Sequence, residues 1–230
     1  MLSVIIPTLD AERTLPRTLS CLVTATVQGL VREVIVVDGG SRDQTALIAE
    51  ETGAHFLTAP KGRGSQMRAG AAAARSNWLL FLPTETALDP GWAEEATAFM
   101  TACERAEAVP ERAGAFRFAL DDFSTGARWL ERFVALRSGL LALPYGDQGL
   151  LIPKRFYERI GGHPDQPLME DVAIVRAIGR RRLARFRTAA VTSAAGYKKG
   201  GYLFRPLRNV TCLSLYLLGV SPRVIARIGG

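Results

Sequence analysis

Carboxylates stand just past the ends of apolar runs in this chain, and that placement is the first hint of chemistry. The stretch WLLFLPTETALDPGW, Trp78 to Trp92, reads as a buried strand that stops at Pro83, with Glu85 two residues further on. In open α/β sheets ligands sit beyond the carboxyl ends of strands, so an acid there can hold a divalent cation together with a phosphate. The same acid can equally be the start of a solvated loop. In VVDGGSRDQT, Asp38 ends another apolar run, ahead of Gly39 and Gly40. The glycines allow a sharp turn and a close backbone approach, and Ser41 is the expected N-cap of the next helix. A carboxylate so placed can accept from a base N–H or a ribose hydroxyl, or it can simply cap a turn.

Two further segments belong with these. KGRGSQMRAG follows one strand and opens a helix, as a phosphate loop does, with Arg63 able to face an anion. It is neither G-x-G-x-x-G nor a Walker loop, so a dinucleotide site has little support. In LMEDVAI, Glu170 and Asp171 open a segment of helical apolar spacing. The helix dipole alone favours acids in a first turn. They also follow GGHPDQPL, a loop able to carry them over a cleft, where a carboxylate can act as a general base.

The elements that must position these residues alternate in the first half. LSVIIPT, EVIVVDGG, AHFLTAP and WLLFL read as strands; ERTLPRTLSCLVTA, SRDQTALIAEETG and GSQMRAGAAAARS read as the helices between them. Strands separated by helices of this length imply a parallel sheet with right-handed crossovers. WAEEATAFMTACERA is a further helix. The second half reads as a strand at GAFRFALDD, a loop and helix to about residue 143, then strand, short helix, turn and longer helix from residue 144 to 182. RFRTAAVTSA is the expected edge strand, and the tail from Tyr202 is expected to be helical.

The bulk properties narrow the class. The 230 residues, 48% of them hydrophobic, suit one α/β domain with a sizeable core and argue against disorder. No apolar run approaches the ~18 residues of a membrane span. MLSVIIPTLD lacks a basic start and is expected to be a first strand, not a signal peptide. Cys21, Cys103 and Cys212 form no CxxC pair; with only two His, zinc spacing is absent, and buried reduced thiols in a cytosolic protein are expected. His55 and His163 are expected to be structural, and Trp78 and Trp92 to pack in the core. The net charge of +7 fits anionic partners such as nucleotide phosphates or an acidic membrane surface. Base-stacking aromatics are not interleaved with the basic residues, which argues against nucleic acid. The tail from 202 to 228 mixes apolar residues with arginines and is a candidate for peripheral membrane contact.

Taken in order, SVIIPTLDAERTL, EVIVVDGGSRDQT, GRGSQMRAGAAAA, WLLFLPTETALDPGW, PYGDQGLLI, IGGHPDQPLMEDV and LRNVTCLSLYLLGVSP resemble family 2 glycosyltransferases of the GT-A fold. The match is closest to a bacterial subfamily of soluble, single-domain members. The resemblance implies one domain over 1–230: a nucleotide-binding half (1–100), an acceptor and catalytic half (101–200), and a basic helical tail (201–230). It implies a mostly parallel sheet flanked by helices. It implies that Pro7, Asp10, Glu12, Asp38, Arg63 and Gln66 bind the donor nucleotide, a UDP- or GDP-sugar. Asp147 and Gln148 would border sugar and acceptor. Glu85 would bind Mg²⁺ or Mn²⁺ from the second acid position of a D-x-D motif. Asp171, beside Glu170, would be the base of an inverting transfer to an acceptor hydroxyl.

The chain departs from that pattern in three places. Pro83-Thr84-Glu85 stands where relatives carry His-Ala-Asp. Ser65 and Arg68 stand where relatives carry Arg and Asn. Ala195, Gly196 and Tyr197 replace an Arg-Arg-Trp segment, which leaves Lys198 and Lys199 as candidates to steady the diphosphate, as point charges instead of bidentate forks. These departures keep a second function in view, a GT-A protein that binds a nucleotide or glycan without transferring it. A sugar nucleotidyltransferase is a third, although PTLDAERTL lacks the glycine-rich loop that such enzymes need.

Overall fold

The computed structural model describes residues 1–106, 111–141, 146–195 and 204–229. The first half alternates as its apolar spacing predicts: β1 (Leu2–Thr8), β2 (Val31–Asp38), β3 (His55–Thr58) and β4 (Trp78–Phe81) are joined through α1 (Leu15–Ser20), α2 (Val23–Val27), α3 (Thr45–Glu51) and α4 (Arg63–Ala73). β5 (Thr86–Leu88), α5 (Trp92–Ala106), β6 (Ala113–Leu120) and α6 (Thr125–Leu141) follow. A short 3₁₀ turn at Gly146–Gln148 leads into β7 (Leu150–Pro153), α7 (Lys154–Arg159), α8 (Glu170–Ile178) and β8 (Leu183–Thr192). The tail forms α9 (Phe204–Leu217) and α10 (Pro222–Gly229).

The eight strands form one sheet in the order β3-β2-β1-β4-β7-β6-β8-β5. β1 pairs in parallel with β2 and β4, β2 with β3, and β6 with β8, whereas β7 runs antiparallel to β4 and β6, and β5 antiparallel to β8. All strands but β7 and β5 therefore point the same way, and their carboxyl ends meet along one edge of the sheet. That edge is where an open α/β sheet holds its ligand.

Both faces of the sheet are covered, which is why its strands read as continuous apolar runs and not as alternating ones. In β1, Leu2, Val4 and Ile6 pack with Leu15, Leu22, Ala96 and Met100 of the helices on one side. Ile5 faces the other side with Met67 and Ala71 of α4 and Val172 and Val175 of α8. Trp78 and Trp92 are core residues, and all three cysteines are free thiols. β6 and β8 pass close to each other's side chains: a Cβ on Gly114 would stand 2.2 Å from Cζ of Phe186. Phe99 and Phe116, at 5.2 and 4.9 Å between ring centroids, hold that ring in place.

Several elements differ from the sequence reading. The segment expected as one helix after β1 is two, because the Cys21 carbonyl accepts from Trp92 Nε1 (3.2 Å) and Leu22 N–H turns back to the Leu19 carbonyl. Ser41 is not a helix N-cap. α3 starts at Thr45, whose N–H donates to Asp43 Oδ1 (3.0 Å). β8 is an edge strand only over its first residues; Ala190–Thr192 pair on the far side with the three-residue strand β5, which the sequence does not announce. The tail docks on the domain: Cys212, Leu213 and Ile225 are buried in the same cluster as α4 and α8.

Candidate active site

The floor of the site is built where β1 and β2 end. Asp38 is buried there, and its carboxylate accepts from Thr8 Oγ1 (3.0 Å), from the N–H groups of Gly40 and Ser41 (2.8 Å each) and from the Ser41 hydroxyl. Burial disfavours its charge, but these hydrogen bonds outweigh it and hold the carboxyl below its usual range. Gln66 reaches in from α4, and its Nε2 donates to the Thr8 carbonyl (2.7 Å) and the Val37 carbonyl (2.8 Å). Asp10 adopts a left-handed backbone (φ 49°); its Oδ1 accepts from Arg42 N–H and its own N–H donates to Ser41 Oγ, both at 2.8 Å. Glu12 is tied to the same loop through Gln44 N–H (3.2 Å) and Asp43 Oδ2 (2.9 Å). Asp10, Glu12 and Asp38 thus spend polar capacity on knitting the β1 and β2 loops together. None of the three lines the cavity beside them.

That cavity has a volume of about 510 Å³ and opens at the carboxyl ends of β1, β4 and β8. Pro7, Arg63, Gln66, Glu85 and Asp147, all expected site residues, are in its wall. Gln148 is buried and is not part of the wall. Lys198 and Lys199 lie outside the described residues. Lys61, Thr192, Arg208 and Asn209 also line the cavity. Lys61 opens the KGRGSQMRAG segment and Arg208 and Asn209 fall in LRNVTCLSLYLLGVSP, but none of them, nor Thr192, is singled out by the sequence. Glu85 is exposed at the wall on a loop pinned from both sides: Thr18 Oγ1 donates to the Thr84 and Thr86 carbonyls (2.7 and 2.9 Å), and Ser193 N–H donates to the Glu85 carbonyl (3.0 Å).

Asp171 lines a smaller recess of about 30 Å³ that shares Pro7, Arg63 and Pro83 with the main cavity and is otherwise walled largely by apolar groups such as Phe81, Ile174 and Val175. Met169, immediately before α8, is left-handed (φ 66°), an uncommon backbone for a side chain of its size. Glu170 is consequently buried while Asp171 meets the recess. Arg63 Nε stands 3.6 Å from Glu170 Oε1. Desolvation opposes the Arg63 charge, yet the carboxylates of Glu170, Asp171, Asp147 and Glu85 together stabilise it and raise its pKa. Burial pushes the Glu170 carboxyl up, and the charge of Asp171 adds to this, while Arg63 works the other way.

His163 is structural. Its N–H donates to the Tyr157 hydroxyl (3.0 Å), the same hydroxyl lies 3.0 Å from Nδ1, and the ring packs edge-on against Phe81 at 4.7 Å. Burial, with the Arg63 charge adding to it, pushes His163 down to about 3. Tyr157 is pushed up to about 12 by burial.

Among the described residues no three His, Cys, Asp or Glu side chains gather to hold a metal. The donor set still fits a hard cation: Glu85 presents carboxylate oxygen at the cavity wall, and Mg²⁺ or Mn²⁺ commonly takes one or two protein carboxylates and completes its shell with phosphates and water.

A largely parallel sheet with acids and cations along its carboxyl edge is the GT-A architecture of glycosyltransferases. The chain belongs to glycosyl transferase family 2, whose profile matches residues 3–136, and it is a glycosyltransferase. Glucosyl-3-phosphoglycerate synthase from Mycobacterium tuberculosis, solved with Mn²⁺, UDP and glucosyl-3-phosphoglycerate, shares the fold at 16% identity and TM-score 0.60, over 91% of this chain and 78% of that one. The structure of the same enzyme with Mn²⁺, UDP-glucose and phosphoglyceric acid is similar at 17% identity and TM-score 0.62, over 91% and 78%. TarS from S. aureus is similar at 14% identity and TM-score 0.64, over 99% of this chain and 69% of that one. No curated protein matches the chain.

The buried His163 sets a pH dependence. Its pKa in the fold, about 3, lies below the ordinary 6.5, so the unfolded chain binds the extra proton first as pH falls. Stability contributed by neutral His163 is complete above pH 6.5 and is lost below it. Urea titrations are expected to show stability falling from about pH 6 to 4.5 with a slope approaching about 1.4 kcal/mol per pH unit. A His163→Gln variant is expected to lose most of that slope.

Proposed function

We propose that the chain transfers a sugar from a UDP- or GDP-sugar to an acceptor hydroxyl, with inversion at the anomeric carbon. The observation that carries this reading is the convergence of Glu85, Asp147, Arg63 and Asp171 on one cavity and its side recess at the carboxyl edge of the sheet. Asp171 takes the proton of the acceptor hydroxyl onto its carboxylate as that oxygen attacks the anomeric carbon, and the nucleoside diphosphate leaves from the opposite face. The recess around Asp171 is walled largely by apolar groups such as Phe81, Ile174 and Val175. Arg63, Lys61 and Arg208 supply fixed positive charge where the diphosphate departs. A divalent cation held at Glu85 would neutralise part of the charge on that leaving group. Asp38, Asp10 and Glu12 act from behind, and Gln66 from the cavity wall, by fixing the ends of β1 and β2 against which the nucleotide would lie.

The tail supplies the second part of the proposal. Among the described residues no helix is long and apolar enough to cross a membrane. α9, α10 and the turn between them leave Leu207, Leu217, Leu218 and Val224 exposed, along with Arg208, Arg223 and Arg227. That combination suits the headgroup region of an anionic leaflet. Arg208 also lines the cavity, so such contact would bring the cavity close to the lipid surface. The chain is expected to float with vesicles containing phosphatidylglycerol and not with neutral phosphatidylcholine vesicles. Arg223→Glu with Arg227→Glu should abolish flotation without changing nucleotide binding; flotation that survives the double substitution refutes tail contact.

For the donor site, Glu85→Ala is expected to bind a nucleoside diphosphate equally well with Mn²⁺ and with EDTA. The unaltered chain should lose about tenfold or more in affinity on EDTA addition, about 1.4 kcal/mol by the affinity relation. Metal dependence of the same size in both proteins would remove Glu85 from the metal site.

A further inference from the structure

Arg63 belongs to two recesses at once. It lines the large cavity with Glu85 and Asp147, and it lines the small recess that holds Asp171. Its ion-pair partner, however, is Glu170, and that contact is loose: 3.6 Å from Nε to Oε1, against about 2.7–2.9 Å for a charge-assisted hydrogen bond. The Arg63 side chain is 47% exposed and that of Glu170 only 6%. A cation that an incoming ligand can reach is therefore neutralising a carboxylate that the ligand cannot reach. The charged groups facing Glu170 are Arg63 from α4, Asp171 from α8 itself, and Asp147 from the turn before β7. The loop over α4 adds the buried, neutral His163. α4 presses tightly against this corner: a Cβ on Gly64 would stand 2.1 Å from the Pro164 carbonyl oxygen and 3.6 Å from Glu170 Cβ. Glu170 sits in this packed corner, 6% exposed.

A diphosphate in the cavity offers Arg63 a better partner, because the guanidinium fork matches phosphate oxygens in bidentate fashion. We infer that donor binding is coupled to proton uptake at Glu170: Arg63 turns from Glu170 to the diphosphate, and Glu170 takes a proton from solvent. The carboxylate becomes a neutral carboxyl, the guanidinium keeps its charge, and no other bond changes. Burial and the adjacent Asp171 charge already favour the protonated form, and Arg63 is what holds it back. Once neutral, Glu170 ceases to repel the neighbouring carboxylate of Asp171, the proposed base. Glu170 is thus a positioning residue acting through Arg63 and Asp171, and the inference rests on the reading of the cavity as a donor site.

The test is calorimetric titration of UDP and of GDP, each with Mn²⁺, at pH 7 in buffers of different ionisation enthalpy. The slope of observed heat against buffer heat counts protons. The unaltered chain is expected to take up roughly half to one proton per nucleotide bound. Glu170→Gln should bind nucleotide with uptake near zero, whereas a purely structural Glu170 would leave the count unchanged. Arg63→Gln should also lose the uptake, and bind about tenfold more weakly; it carries the test if Glu170→Gln does not fold. Nucleotide binding without proton uptake, or uptake that persists in Glu170→Gln, overturns the coupling and leaves the donor reading intact. Failure of the folded, unaltered chain to bind either nucleotide overturns the donor reading and the coupling with it.

Discussion

Four carboxylates from three separate parts of the chain, Glu85, Asp147, Glu170 and Asp171, act on a single guanidinium, that of Arg63. Bringing that much negative charge to one edge of a sheet is unfavourable unless a cation is placed among them. Arg63 is placed by the start of α4, and α4 is placed by its apolar face against β1 and β2. The site therefore depends on a helix that leads with a cation and follows with small residues. The repulsion left over is itself useful, since it keeps Glu170 poised and makes the edge receptive to a further cation.

Behind this edge lies a layer of side chains whose hydrogen bonds are already spent. Asp38 accepts from four donors of its own chain, and Gln66 bridges two carbonyls that end neighbouring strands. Buried polar groups are tolerated because each is satisfied, and removing one partner leaves the others exposed to the full cost of desolvation. The outcome is a rigid floor under a mobile chemistry, with shape set by Asp10, Glu12, Asp38 and Gln66 and charge set by Arg63 and the acids around it.

Much of this was legible in the sequence, and the limits have a physical origin. WLLFLPTE announces a strand that ends in an acid, and Glu85 does line the cavity. The apolar periods place every strand of the parallel half, because two covered faces leave few polar positions to confuse the pattern. Asp38 reads equally well as a nucleotide contact or a turn acid, and the bond it accepts from Thr8, thirty residues away, is invisible to local spacing. Ser41 looks like a helix cap because its position in the run is right, yet its hydroxyl is claimed by Asp38. β5 is three residues long and exists because β8 is there to pair with it. Arg208 and Lys61 lie in quoted segments without being singled out there, and only the fold brings tail and loop to the same cavity.

The most direct test of the account is the release of nucleoside diphosphate from a panel of UDP- and GDP-sugars with Mn²⁺, comparing the unaltered chain with Asp171→Asn. Water serves as a slow acceptor when no better hydroxyl is present. Measurable turnover of at least one donor is expected, with a fall of roughly 100-fold or more in Asp171→Asn and nucleotide affinity in that variant within about threefold of the original. Equal turnover by the two proteins would show that Asp171 is not the base, and no turnover of any donor by a folded chain that binds nucleotide would contradict transfer itself.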